Sequence, residues 1–292
     1  MEENALAFNE GQLKRVGFAE AFTPELKSKM EEGMPLIQQS FNKQYDGDNV
    51  TATLYLKKSP TSDYYFLNKF DLELQKEGLA NTVMQTFYLT KKISEEQNGS
   101  GQKARLENKY TLKEAYNLLD GRPVYKNLVS NEGKEYRAWV KLNFKNKLEN
   151  GNYELKQYTG AYGFNLENVL KSYPIKELMN PDYKQSLMDS LHRGNLQKVT
   201  FVGNDGKEEK LFISPHISFG ALNVYDLNKQ RLSTETLVEK QYIGKEFLDG
   251  LKQNVSQQQK PKQQQTQKQV HKQKINNSEK PKPKQSRKQK MQ

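Results

Sequence analysis

The foldable part of this 292-residue chain stops near residue 251. The last aromatic residue is Phe247, and from Lys252 to Gln292 the sequence is Gln, Lys and Pro with almost no apolar side chain. That stretch holds 12 Lys and Arg against one acid, Glu279. The whole chain has 46 basic and 35 acidic residues, so residues 1–251 keep 34 of each and are neutral, while the tail carries the entire net charge of +11. A segment of this composition cannot bury enough apolar surface to offset the entropy of ordering it, and it is expected to be disordered. Any fold must come from the balanced 251-residue body, which is long enough for one large domain or two small ones.

The hydrophobic fraction, 34%, is low for a globular chain, but 16 Tyr, 13 Phe and one Trp lie in the body. Aromatic rings bury a large area each, so a modest apolar count still makes a core. The chain has no Cys, which excludes disulfides, thiolate nucleophiles, iron–sulfur clusters and Cys-containing zinc sites. The N-terminus, MEENALAFNEGQLKRV, has early acids and no continuous apolar stretch, so no secretory signal is expected. No window approaches the roughly 18 apolar residues of a membrane span. A cytoplasmic protein with no membrane contact is the expectation.

Residues 1–45 read as an N-terminal helical segment. Thr23-Pro24-Glu25 starts a helix with a hydroxyl cap, Pro at the first position and an acid at the positive end of the dipole. Gly33-Met34-Pro35 ends it, and a second short helix is expected over Leu36 to Gln44. Residues 46–251 then form the body. Tyr45 to Asn49 reads as a turn into a strand with Val50, Ala52, Leu54 and Leu56 on one face. Tyr64–Leu67, Phe70–Leu74 and Val83–Leu89 read as further strands. Residues 91–108 are polar, contain Asn98-Gly99-Ser100-Gly101, and mark a candidate internal boundary. Thr111 and Glu114 form a capping box before Leu112 to Leu119, stopped by Asp120-Gly121 and Pro123. Glu135 to Phe144 alternates, with Tyr136, Ala138, Val140, Leu142 and Phe144 on one face, and pairs with Tyr153–Tyr158 across Glu149 to Asn152. Asn165 and Asn180-Pro181 start two helices, the second ended by Gly194. Val199–Val202 and Lys210–Ile213 form a hairpin, Ala221–Tyr225 a strand, and Ser233 caps a last helix carrying Leu237, Val238, Tyr242, Leu248 and Leu251. Blocks of strands joined by hairpins, with helices between blocks, predict an α+β fold with antiparallel sheets and packed helices.

The tail is the leading candidate site. Lys260, Lys262, Lys268, Lys272, Lys274, Lys280, Lys282, Lys284, Arg287, Lys288 and Lys290 can follow a phosphate backbone without reading sequence. The competing reading is a solubilising tail or a tether to an acidic protein. Tyr158 to Phe164, YTGAYGF, is similar to the aromatic–glycine core of an RNA-recognition strand, but it lacks the leading basic residue and runs into a helix, so a structural turn is preferred. Tyr64, Tyr65 and Trp139 are candidates for stacking on bases, with core packing as the default. Metal binding is poorly supported, since His192, His216 and His271 have no partner at a ligand spacing and Asp46 and Asp48 lack the rest of a calcium loop. Ser214-Pro215-His216 has no nucleophile elbow and no orienting acid. No phosphate-binding Gly-rich motif occurs. The sequence therefore predicts no catalytic residue, no cofactor and no enzyme.

Four segments, Lys57–Phe70, Thr111–Arg122, Tyr136–Phe144 and Tyr173–Leu178, together resemble an uncharacterised domain family of Bacteroidetes carried on conjugative transposons and plasmids. The similarity covers roughly residues 45–230. Members of that family occur near, or joined to, DNA-processing proteins such as type IA topoisomerases, and many end in Gln/Lys-rich tails. The resemblance implies a DNA-associated role on a mobile element and transfers no catalytic residue. The expected function is a non-enzymatic accessory protein of a mobile genetic element. Its body docks a protein partner and its tail binds nucleic acid, DNA foremost, without sequence choice. The alternative is a protein-interaction or inhibitor module, such as a counter-defence factor, with no nucleic-acid contact.

Overall fold

A computed structural model describes residues 3–92, 105–107, 110–130, 134–247 and 249–250. Helix α1 (Glu3–Arg15) opens with Glu3 and closes with Lys14 and Arg15, charges that complement its dipole, and it buries Ala5, Asn9 and Leu13 at four-residue spacing. Helix α2 (Pro24–Glu31) is capped as the sequence implies, the Thr23 side chain accepting from the Leu26 N–H at 3.2 Å. Gly33 takes φ 74° and ends the helical segment.

The second helix expected over Leu36–Gln44 is instead strand β1 (Leu36–Tyr45), so the N-terminal helical segment ends before residue 36 rather than at 45. Ile37 and Phe41, four apart, fit a helix stripe, but Gln39 between them is buried as well and the burial alternates. Pairing decides it. Asp46 and Gly47 both hold positive φ, 55° and 95°, and make a two-residue hairpin turn that locks Tyr45 opposite Asp48.

Strands β1, β2 (Asp48–Lys58), β3 (Tyr65–Gln75) and β4 (Thr82–Tyr88) form an antiparallel meander in chain order. The two strands expected over 64–74 are one strand, with a register irregularity opposite Tyr55/Leu56. The start of β3 extends beyond β4, and α1 covers that edge: Asn9 accepts from Tyr65 N–H, while Gln12 donates to Tyr65 C=O and accepts from Leu67 N–H. A short ladder, β5 (Thr90–Lys92) with β6 (Arg105–Glu107), leads to α3 (Leu112–Leu119), whose Thr111/Glu114 capping box is present in full.

Strand β7 (Val124–Val129) has no counterpart in the sequence reading, because Lys126 and Asn127 blunt its alternation. It pairs with β8 (Glu135–Lys147), which pairs with β9 (Tyr153–Thr159). Helices α4 (Leu166–Lys171) and α5 (Pro181–His192) follow, capped by Asn165 and Asn180. Strands β10 (Gln197–Val202), β11 (Glu208–His216) and β12 (Ala221–Tyr225) make a third antiparallel sheet. Helix α6 (Thr234–Glu239) starts at Ser233 and breaks where Gln241 adopts φ 60°, and helical backbone resumes over residues 245–247 and 249–250. The fold is α+β with antiparallel sheets.

Two hydrophobic clusters result. The first joins α1–α3, the β1–β4 sheet and Ala138, Val140 and Leu142 of β8. The second joins α4–α6, the β10–β12 sheet and Trp139. Residues on both sides of 91–108 pack into the first cluster, with the Phe87 and Tyr110 rings 5.4 Å apart, so that stretch does not divide the core as expected. The division runs through β8, whose alternate side chains serve the two clusters.

Side chains also weld the first two sheets. Buried Gln85 (2% exposed) accepts from Tyr153 N–H at 2.8 Å and donates to Tyr153 C=O, while Asn152 accepts from Thr86 N–H at 2.8 Å. Gln85→Ala strands both backbone groups of Tyr153. A loss of about 1–3 kcal/mol is expected in urea denaturation, and an unchanged midpoint would show the weld to be dispensable.

Candidate functional site

The β7–β8–β9 sheet has a second face, turned away from the first core. Cross-strand partners share a face, which places Tyr125, Trp139 and Tyr158 in one row and Lys141 and Lys156 in the next. The rows are two residues apart, about 7 Å along the strand. The aromatic row is extended by rings from the segments that follow. Trp139 lies 5.2 Å from Tyr125, 5.4 Å from His192 and 5.6 Å, edge-on, from Phe164, with distances between ring centroids. Together with Thr159, Gly160 and Met188 these residues line a recess of about 240 Å³.

Two of the lining rings contain a polar nitrogen. Among the described residues, neither the Trp139 indole N–H nor the His192 ring has a hydrogen-bond partner, and neither is sealed from solvent. Burial holds His192 below the usual imidazole pKa, opposed by Asp189 and reinforced by Arg137 and Arg193. Glu167, also on the lining, is held by Lys184 and Lys171. Tyr158 reaches the hydroxyl of Ser218 at 3.2 Å and so fixes one wall against the segment after β11.

The cationic row continues across the same junction. Burial lowers the Lys141 pKa, and Arg231 adds to the effect. His216, stacked on Phe219 at 4.3 Å, falls to about 4, first through burial and then through Lys141 and Arg231. Lys141 and Arg231 thus act on each other and on His216, and neither cation has an ion-pair partner among the described residues.

A larger cleft, about 430 Å³, is lined by residues of both halves, from Asp46, Tyr116 and Arg122 to Tyr225 and Lys229. Its charges answer one another. Arg122 and Lys76 pair with Asp120, the Tyr116 hydroxyl donates to Asp48 at 3.0 Å, and Lys229 donates to the Asp46 carbonyl at 3.1 Å. Lys113 sits over the Tyr45 and Tyr116 rings at 4.1 and 4.5 Å. Buried Asn117 and Arg122 continue this network onto the turn after α5, donating to the carbonyls of Arg193 and Gly194 at 2.8 Å each. The cleft is a joint between the cores.

Of the residues singled out by sequence, the eleven tail cations Lys260, Lys262, Lys268, Lys272, Lys274, Lys280, Lys282, Lys284, Arg287, Lys288 and Lys290 lie outside the described residues. Tyr65 is fully buried and donates to the Met34 carbonyl at 2.8 Å, so it is a core residue. Tyr64 packs edge-on against Phe8. Trp139 is 4% exposed. The YTGAYGF segment ends β9 at Tyr158-Thr159 and then turns, through a 3-10 helix over Gly160–Tyr162 closed by Gly163 at φ 85°, and it supplies one side of the recess. The Ser214 hydroxyl contacts Tyr225 and Asn223, not His216. Among the described residues no three His, Asp or Glu side chains are placed to share a metal, and no helix is long and apolar enough to cross a membrane. Lys141, Arg231, Tyr125 and His192 were not legible as a group. The available signal was the opposite face of β8, Arg137-x-Trp139-x-Lys141, which alternates with the apolar face already read.

The low His216 pKa has a testable consequence. The unfolded chain binds its proton near 6.5 and the folded one near about 4. Stability is therefore full above the unfolded value, is lost as pH falls through this window, and levels off below it, a difference of at most about 3 kcal/mol. His192 acts in the same direction, so the comparison is with His216→Phe. Between neutral pH and the acid end of the window the wild type should lose more urea stability than the variant; parallel losses refute the assignment.

No family model matches the chain, and comparison with curated proteins and with solved structures gave no match.

Proposed function

We propose that this protein is a non-enzymatic accessory protein of a mobile genetic element, whose residues 252–292 bind DNA or RNA without sequence choice while the body docks a protein partner. The observation that carries the nucleic-acid reading is the charge partition: 12 cations and one acid in the tail, beside a body with 34 of each sign. A neutral body adds no long-range attraction to a phosphate polymer, so the tail alone supplies it. The mobile-element context rests on the resemblance of Lys57–Phe70, Thr111–Arg122, Tyr136–Phe144 and Tyr173–Leu178 to the Bacteroidetes family. A body that docks a partner fits the exposed pair Met179 (88%) and Tyr183 (66%), at the entry to α5.

That same pair favours the second reading, an interaction or inhibitor module that needs no nucleic acid. Truncation after residue 251 separates the two. In the first reading the truncated body loses salt-sensitive binding to DNA and RNA in a filter or anisotropy assay. Equal binding by the truncated and full chains refutes the tail assignment. A partner recovered from the native host after nuclease treatment, with the body sufficient, supports the second reading.

A further inference from the structure

We infer that the aromatic recess on the second face of the β7–β8–β9 sheet receives one unstacked base of a single-stranded nucleic acid, with the adjoining phosphate on the Lys141–Arg231 row. This deepens the nucleic-acid reading above and rests on it.

Three features of the recess select a planar heteroaromatic ring. Its walls are rings, Tyr125, Tyr158, Phe164 and His192 around the deepest one, Trp139. Base-on-ring stacking tolerates any base, because every base has a π-face. Two of the lining rings, Trp139 and His192, carry nitrogens that have no hydrogen-bond partner among the described residues. A purely apolar occupant offers neither ring a polar partner, whereas a base edge carries both donors and acceptors. The volume, about 240 Å³, admits one base and excludes a duplex.

The next row supplies the charge. Lys141 and Lys156 stand about 7 Å along the strands from Trp139 and Tyr158, a spacing that suits the step from a base to its backbone phosphate. Lys141 and Arg231 are half-buried and exposed cations without ion pairs among the described residues, and their mutual repulsion is relieved by an anion. The charges around the recess itself are Arg137, Arg193, Lys171 and Lys184 against Asp189 and Glu167, a cationic excess. A protein side chain or a methylated amine would fit the rings. The amine gains nothing from that excess, and neither uses the cationic row.

Trp139 is the only tryptophan of the chain, so its emission reports the recess alone. The experiment titrates full-length protein with a dT oligomer and, separately, with an abasic oligomer of equal length and charge, binding being followed by anisotropy of a label on each. Both are expected to bind, and only the dT oligomer is expected to quench Trp139. Gly160 is on the lining, and Gly160→Leu puts a branched side chain at that rim. An added Cβ there meets nothing within 4 Å and the backbone is not left-handed, so the fold tolerates it. The variant should lose the quenching and bind dT about tenfold more weakly, with abasic binding unchanged. Identical emission with both oligomers, or quenching that survives Gly160→Leu, overturns the recess while their binding leaves the tail reading standing. Binding of dT with quenching, but none of the abasic oligomer, supports the recess and overturns the tail reading. Failure of both oligomers to bind overturns both.

Discussion

Full-length protein is expected to lose about a thousandfold of its affinity for duplex DNA between about 50 and 200 mM salt, and protein truncated after residue 251 to show almost none of that dependence. The tail holds 12 cations spaced by Gln and Pro. With about half of them on phosphates at once, roughly six counterions leave the duplex, and each steepens log K against log salt by about 0.9. The resulting slope is about −5. The body's 34 cations face 34 acids and many are engaged in ion pairs, as Lys126 is with Glu114 and Lys240 with Glu209, so it contributes little to the slope. Binding isotherms over a salt series measure it directly. A slope near zero for the full chain, or the same slope for the truncated one, would remove the basis for a nucleic-acid role.

A large single-residue effect on stability is expected at Gly194. It follows α5 at φ 79°, and its carbonyl accepts from Arg122 in the joint between the cores. An added Cβ would lie 2.9 Å from the Pro123 carbonyl oxygen and 2.9 Å from Val124 Cγ2. Neither neighbour is the free end of a flexible chain. The left-handed backbone costs a non-glycine residue about 1–2 kcal/mol, and overpacking adds about 1–3 kcal/mol. Gly194→Ala should therefore lose about 3–4 kcal/mol, a large part of a typical domain's stability. Gly151 is the control. It has φ 80° with nothing within 4 Å of a built Cβ, so Gly151→Ala isolates the backbone cost. Urea midpoints of the two variants check the prediction, and equal losses would mean the contact with Pro123 carries no weight.

Local signals in the sequence were strong where the chemistry is short-range. The caps at Thr23, Thr111, Asn165, Asn180 and Ser233 all accept the backbone bonds their positions imply. The β8–β9 and β10–β11 hairpins pair across the turns that Gly151 and Gly206 permit. Reading failed where a partner far along the chain decides. Ile37 and Phe41 suit either period, and only pairing with β2 makes them a strand. Strand β7 is specified by β8, since its own Lys126 and Asn127 hide the pattern. The recess was illegible for the same reason. Tyr125, Trp139, Phe164 and His192 come from four separate segments, and no spacing links them. Core packing, the default for Trp139, agrees with its 4% exposure, and what the sequence does not show is that this ring also lines a recess.

Because one strand lends its even-numbered side chains to one interior and Trp139 to the other, neither half of the body owns a complete set of walls. Cutting the gene between the halves strips one piece of a boundary layer and leaves the other with bare apolar surface. The two halves are therefore expected to melt in a single transition.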